Sequence, residues 1–251
     1  MLQRPGDLHW ISCGVCPTDR VVLYFHGGGF IAGSPHTHRA MLGALSQAAG
    51  VEVCAPRYPL AQTAPFPAQI EAAHAAWARL QSLGYAADRI VVGGDSAGGG
   101  LALCLVAALC QQGTPPAGVF TFSPWTDLSA SGESLRRNAD RDPLLPANRI
   151  EELAALILCG ADACDPRASA LFAEYPRCPP VWMAWGETEV LYDDCARMVT
   201  RLRQFGAQVT TERHPTAPHV WPLFQGWVPE ATATLRRAAR FVQASLDETS
   251  R

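Results

Sequence analysis

The chain has 251 residues, 48% of them hydrophobic and only 17% charged, with a formal net charge of -3 and arginine as its only basic residue besides histidine. That is ample apolar material for one sizeable core, and there is no block of positive charge of the kind a nucleic-acid groove needs. No apolar run reaches the length of a membrane span, and Met1 to His9 lack the cationic-then-apolar pattern of a secretion signal, so a cytoplasmic location is expected.

A short strand candidate precedes Cys13-Gly14-Val15-Cys16. The spacing is that of a redox motif, but the Pro17-Thr18-Asp19 turn follows it where a βαβ unit would begin a helix, and no Cys/His pair completes a zinc pattern. Nine cysteines cannot pair evenly, and Cys54 and Cys104 sit in apolar runs as small hydrophobes, which suits a reducing compartment. Val21 to Phe25 reads as a strand running into His26-Gly27-Gly28-Gly29. A helix is predicted over His36 to Ala49, a strand over Val51 to Cys54, and a helix from Pro67 to about Leu83 with Gly84 as its stop. Arg89 to Gly93 is the next strand, followed by a helix reaching Gln111, and Gly118 to Phe122 is another strand. Between about Ser129 and Pro179 the rhythm changes: a charged stretch, Arg136 to Asp142, precedes a helix candidate from Asn148 to Cys159, and the segment reads as a helical insertion over the sheet. Pro180 to Trp185 restores a strand, Leu191 to Phe205 a helix, Ala207 to Glu212 the last strand and Glu230 to Ala244 the last helix. This alternation predicts a mainly parallel α/β sheet with functional groups at the C-terminal ends of its strands.

Gly94-Asp95-Ser96-Ala97-Gly98 lies where strand turns sharply into helix, the setting in which G-x-S-x-G projects a serine nucleophile. A Gly/Ser turn without chemistry is the plainer reading, so the rest of the chain has to supply a base and an acid. His219, in the loop after the last strand, is the best base, ahead of His214, which sits nearer the strand and is stiffened by Pro215. The acid belongs after the preceding strand, where Glu187, Glu189, Asp193 and Asp194 compete. The two aspartates fall in the first turn of a helix, where negative charge has a structural role, so the loop glutamates are favoured without being separated. Gly28 and Gly29, with Ala97 after the serine, are candidate backbone donors to an oxyanion. Neither a P-loop ending nor a G-x-G-x-x-G turn is present, which leaves phosphate binding as the weaker account of these glycines.

Taken in order, His26-Gly27-Gly28-Gly29, Gly94-Asp95-Ser96-Ala97-Gly98-Gly99, Ser123-Pro124-Trp125-Thr126-Asp127-Leu128 and Pro218-His219-Val220-Trp221 resemble the bacterial hormone-sensitive-lipase-like carboxylesterases, the family IV lipolytic enzymes of the α/β-hydrolase superfamily. The resemblance covers nearly the whole chain. It implies one α/β-hydrolase domain over residues 1–251, a small helical cap at 129–179, and a catalytic acid at Glu189, where many members carry Asp. Two departures stand out: Tyr58-Pro59-Leu60-Ala61-Gln62 has Pro59 and Gln62 where the family has Arg and Pro, and only about twenty residues precede the first long strand. The second implies a smaller cap and a more open entrance.

Trp125, Trp221 and Phe224 neighbour these motifs and are candidate pocket residues, with core packing as the equal alternative, while Asp95 and Asp127 read as loop-fixing. The expected function is a cofactor-independent carboxylesterase for small uncharged short- to medium-chain esters, using Ser96, Glu189 and His219. Lactone, amide or carbamate hydrolysis by the same triad is the alternative, and a non-catalytic ligand-binding protein of the same fold ranks below it. A small-molecule ester is the expected partner, with neither nucleic acid nor membrane, and the resemblance allows a homodimer through the last strand or helix.

Overall fold

In a computed structural model, residues 8–248 are described, and a seven-stranded sheet runs through their centre. Met1 to Asp7, on which the reading of a missing leader chiefly rests, lie outside the described residues. The strands are β1 (Leu8–Ile11), β2 (Val21–Phe25), β3 (Glu52–Pro56), β4 (Ile90–Asp95), β5 (Gly118–Phe122), β6 (Val181–Gly186) and β7 (Val209–His214). Their order is β1-β3-β2-β4-β5-β6-β7, and every pair is parallel except β1 with β3. The helices are α1 (Arg39–Ala49), α2 (Ala68–Ser82), α3 (Ser96–Gln112), α4 (Ser134–Arg137), α5 (Ile150–Leu158), α6 (Tyr192–Gln204) and α7 (Pro229–Glu248).

The unbroken apolar run of β2 follows from its place inside the sheet, covered on both faces. Its alternation sorts the side chains: Val21, Leu23 and Phe25 join one core with Leu101 and Leu105 of α3, while Val22 and Tyr24 join the other with Leu45 of α1 and Leu235 of α7. Each such side chain taken from water contributes about 1.5–3 kcal/mol. Nearly every residue of α3 is buried, so this helix lacks a polar face for most of its length. The register sets the strand ends beside one another, with Phe25 opposite Gly94, Asp95 opposite Phe122 and Gly186 opposite His214. The loops that follow these five strands therefore emerge together at one end of the sheet, that of the strands' C-termini.

Helix α1 begins at Arg39, three residues after its expected start, because Ser34 and Thr37 close a turn first. Thr37 Oγ1 donates to the Ser34 carbonyl at 2.8 Å and accepts from its amide at 3.0 Å. At the other end of the chain α7 runs to Glu248, beyond the expected Ala244. The charged stretch from Arg136 begins inside α4 and turns Asn138 completely inward. Between β5 and β6, α4, α5 and short 3₁₀ turns form a cap, and the whole is the α/β-hydrolase architecture that the resemblance implies. Among the described residues, no helix is long and apolar enough to cross a membrane.

Candidate active site

Strand β4 stops at Asp95 and α3 starts at Ser96, whose φ of 52° lies in the left-handed region. A non-glycine residue held there costs about 1–3 kcal/mol, so its surroundings must impose the conformation. The Trp125 amide donates to the Ser96 carbonyl at 2.9 Å. Close approach of α3 to the strands imposes the rest: a Cβ added to Gly98 would overlap the carbonyl oxygens of Phe25 and His26, and one on Gly94 would overlap that of Gly98. The glycines of the motif are thus required by contact between backbones.

Ser96 Oγ lies 2.9 Å from His219 Nε2, and His219 Nδ1 lies 2.7 Å from Glu189 Oε2. All three side chains are buried. A carboxylate only accepts, so Nδ1 carries the proton and Nε2 is free to take one from the serine. The other carboxylate oxygen of Glu189 accepts from the Gly186 amide and from Ser123 Oγ, the latter at 2.7 Å. Ser123 Oγ in turn accepts from the Val220 amide at 3.1 Å, so one hydroxyl ties the acid to the histidine loop. Sequence reasoning attached no role to Ser123. Its position as the first residue past β5, between the strands that lead to Ser96 and Glu189, was the available signal.

Geometry separates the competing residues. Glu187 is exposed, and Asp193 accepts from the Ser134 amide and pairs with Arg137. Asp194 accepts from the Thr126 and Asp127 amides at 2.9 and 2.8 Å, and burial, with the charge of Asp127, pushes its carboxyl up to about 7. His214 Nδ1 accepts from the Thr216 and Ala217 amides and builds a turn.

The glycine loop after β2 faces the same cavity as Ser96, with Gly28 at φ 120° and Gly29 at φ 60°. Ala97 is in the first turn of α3, where amides have no acceptor within the helix and the macrodipole is positive. Asp95 braces this loop: its carboxylate accepts from the Gly27 amide at 3.0 Å, from Tyr24 Oη at 2.9 Å and from His38 Nε2 at 3.2 Å. Burial works to raise the Asp95 carboxyl, but His38 and Tyr24 outweigh it and hold it below the usual range. Burial likewise works to lower His38, and Asp95 reverses that so the imidazole is raised. His26 is pushed down to about 4 by burial and is neutral at pH 7. Tyr58 stacks on its ring at 4.2 Å between centroids and donates to its carbonyl at 2.6 Å. Gln62, one of the two departures, donates to the Ile31 carbonyl at 2.8 Å and gives the loop a further anchor.

Ser96 and His219 open on a cavity of about 780 Å³ whose walls are mostly apolar. Trp125 and Phe224 line it. Trp221 does not, which corrects the sequence reading: its indole N–H donates to Thr234 Oγ1 at 3.1 Å, and the ring is buried in the core beneath α7 with Trp182 and Leu235. Sequence reasoning also missed the cap side of the wall, Leu145, Leu153 and Leu156, whose apolar character reads equally well as ordinary core. Among the described residues, no group of three His, Cys, Asp or Glu side chains is arranged to hold a metal ion.

A family model described as alpha/beta hydrolase fold matches residues 22–223. An acetyl-hydrolase of Streptomyces hygroscopicus is 35% identical, with 97% of this chain and 84% of that protein covered. An esterase of Acinetobacter venetianus is 33% identical over 91% of this chain and 76% of its own. A crystal structure of an esterase from the bacterial hormone-sensitive lipase family superposes with a TM-score of 0.92 at 39% identity, covering 95% of this chain and 81% of that one.

Proposed function

This chain belongs to the α/β-hydrolase fold family, among its bacterial hormone-sensitive-lipase-like esterases, and is a serine hydrolase of small carboxylic esters; from that premise we propose that Ser96 is the nucleophile, His219 its base and Glu189 the residue that orients His219. The observation that carries the assignment is the continuous relay of 2.9 and 2.7 Å from Ser96 through His219 to Glu189, opening on an apolar cavity. Ser96 Oγ attacks the ester carbonyl carbon while its proton passes to His219 Nε2. The carbonyl electron pair moves onto oxygen, where the amides of Gly28, Gly29 and Ala97 receive it. Each such donor contributes about 3–4 kcal/mol to the transition state. Collapse breaks the ester C–O bond, and the imidazolium protonates the departing alcohol. Water, losing its proton to Nε2, then attacks the acyl-enzyme, releases the acid and regenerates Ser96. Glu189 accepts from His219 Nδ1 and favours the imidazolium each time it forms.

The apolar wall suits an uncharged ester of short to medium acyl chain, with Trp125 and Phe224 against it. Residues 129–179 act as the cap insertion of a single domain. A cytoplasmic location agrees with nine free thiols, and a homodimer through β7 would use the exposed edge of the sheet. Release of p-nitrophenol from acetate, butyrate, octanoate and palmitate esters, by the wild type and Ser96→Ala, tests the assignment. Turnover of the shorter esters that vanishes in the variant is the expected result. Folded wild type that turns over none of them, or an equally active Ser96→Ala, would overturn it.

A further inference from the structure

Three buried polar side chains at the root of the cap are not used by this chemistry, yet all converge on the loop that carries Glu189. Ser134 Oγ donates to the Val190 carbonyl at 2.6 Å and accepts from the Asp193 amide at 3.0 Å. Asn138 places its amide nitrogen between the carbonyls of Glu187, at 3.1 Å, and Glu189, at 2.8 Å. Asp142 accepts from the Val190 amide at 2.9 Å through one oxygen, and from the Leu144 and Leu145 amides at 3.0 and 3.1 Å through the other. The Asn138 carbonyl also accepts from the Arg141 and Asp142 amides, closing the turn that aims both side chains at the same loop.

The chemistry of each residue matches its place. Two carbonyls of the loop need donors, and a primary amide supplies two N–H groups from one nitrogen; three backbone amides need acceptors, and a carboxylate supplies them. The loop's own turn is weak, with the Glu189 amide 3.4 Å from the Gly186 carbonyl. A glutamate that must meet His219 at 2.7 Å therefore depends on backbone held from outside the loop. Leu144 and Leu145 belong to the cavity wall, so Asp142 touches the acid loop and the substrate wall at once.

We propose that Asn138 and Asp142 are positioning residues for the reaction, holding the backbone on either side of Glu189 so that its carboxylate meets His219, and coupling that alignment to the cavity wall. The inference rests on the triad assignment above. It is tested by measuring kcat and KM on p-nitrophenyl butyrate for Asn138→Leu and Asp142→Asn, each in the wild type and in Glu189→Gln. The downfield proton resonance of the His219 Nδ1–H group, which reports its bond to Glu189, is recorded alongside. Asn138→Leu is expected to lower kcat about 10- to 100-fold while KM stays within about twofold, and to shift or broaden the resonance. In Glu189→Gln the same substitution should cost less than about threefold, because the carboxylate it aligns has gone. Asp142→Asn should change kcat and KM together, and it carries the test if Asn138→Leu does not fold. An unmoved resonance with unchanged kcat, or the same loss in both backgrounds, overturns the proposal. Full activity in Glu189→Gln instead overturns the triad assignment, and the two failures are distinguishable.

Discussion

Exchanging Glu189 for glutamine keeps the length and shape of the side chain and makes the structure choose where an N–H₂ group goes. At one end, an oxygen accepts from the Gly186 amide and from Ser123; at the other, it faces His219 Nδ1. The Gly186 amide cannot rotate, so an N–H₂ group at that end would set donor against donor in a buried site, at about 1–3 kcal/mol. The favoured orientation points the N–H₂ at Nδ1 and drives His219 into the tautomer whose Nε2 already carries a proton, which cannot serve as base. Reaching the active tautomer costs that 1–3 kcal/mol, and the imidazolium then forms without a charged partner, a loss of about 1.5–3 kcal/mol more. Together these amount to about 2.5–6 kcal/mol, or roughly 10²- to 10⁴-fold in kcat/KM. Initial rates on p-nitrophenyl acetate and butyrate, against Ser96→Ala as the floor, measure it, with thermal melting to confirm the fold. Glu187→Gln is the control and should keep activity within about twofold, since Glu187 is exposed. A Glu189→Gln enzyme within tenfold of wild type would refute both the forced orientation and the role of Glu189.

Gly98→Ala should destabilise the protein by about 1–3 kcal/mol or more and lower activity with it, because the new methyl meets the carbonyls of Phe25 and His26; an unchanged melting temperature would count against this packing. Asp194, its carboxyl raised by burial from 3.8 to about 7, favours the fold most while neutral, below about pH 4, and that contribution is lost as pH rises through about 7. Relative to Asp194→Asn, wild type should therefore lose up to about 4 kcal/mol between pH 4 and 8 in guanidinium unfolding, and parallel pH profiles would exclude it. Leu145→Trp narrows the cavity from the cap side and should lower the octanoate-to-acetate ratio of kcat/KM by about tenfold or more, read from the same ester series.

The parts of the site legible in the sequence are those whose geometry is local. Ser96 in its strand-turn-helix setting and the glycines after β2 follow from backbone constraints within a few residues, and the order serine, acid, histidine was read from the succession of strands and loops along the chain. The sheet was legible for a similar reason, since a strand buried on both faces must be apolar throughout, as Val21 to Phe25 is. Other features depended on contacts between distant segments. Glu187 and Glu189 sit two residues apart in one loop, and the choice between them is made by the Gly186 amide, Ser123 at the end of another strand and His219. Trp221 is two residues from His219, yet its indole finds Thr234 on α7 and leaves the cavity. Asn138 and Asp142 read only as members of a charged stretch because the loop that buries them lies about fifty residues further along the chain. Local sequence determines which backbone shapes are affordable, whereas a polar group's partner is decided by whatever the tertiary fold brings within 3 Å of it.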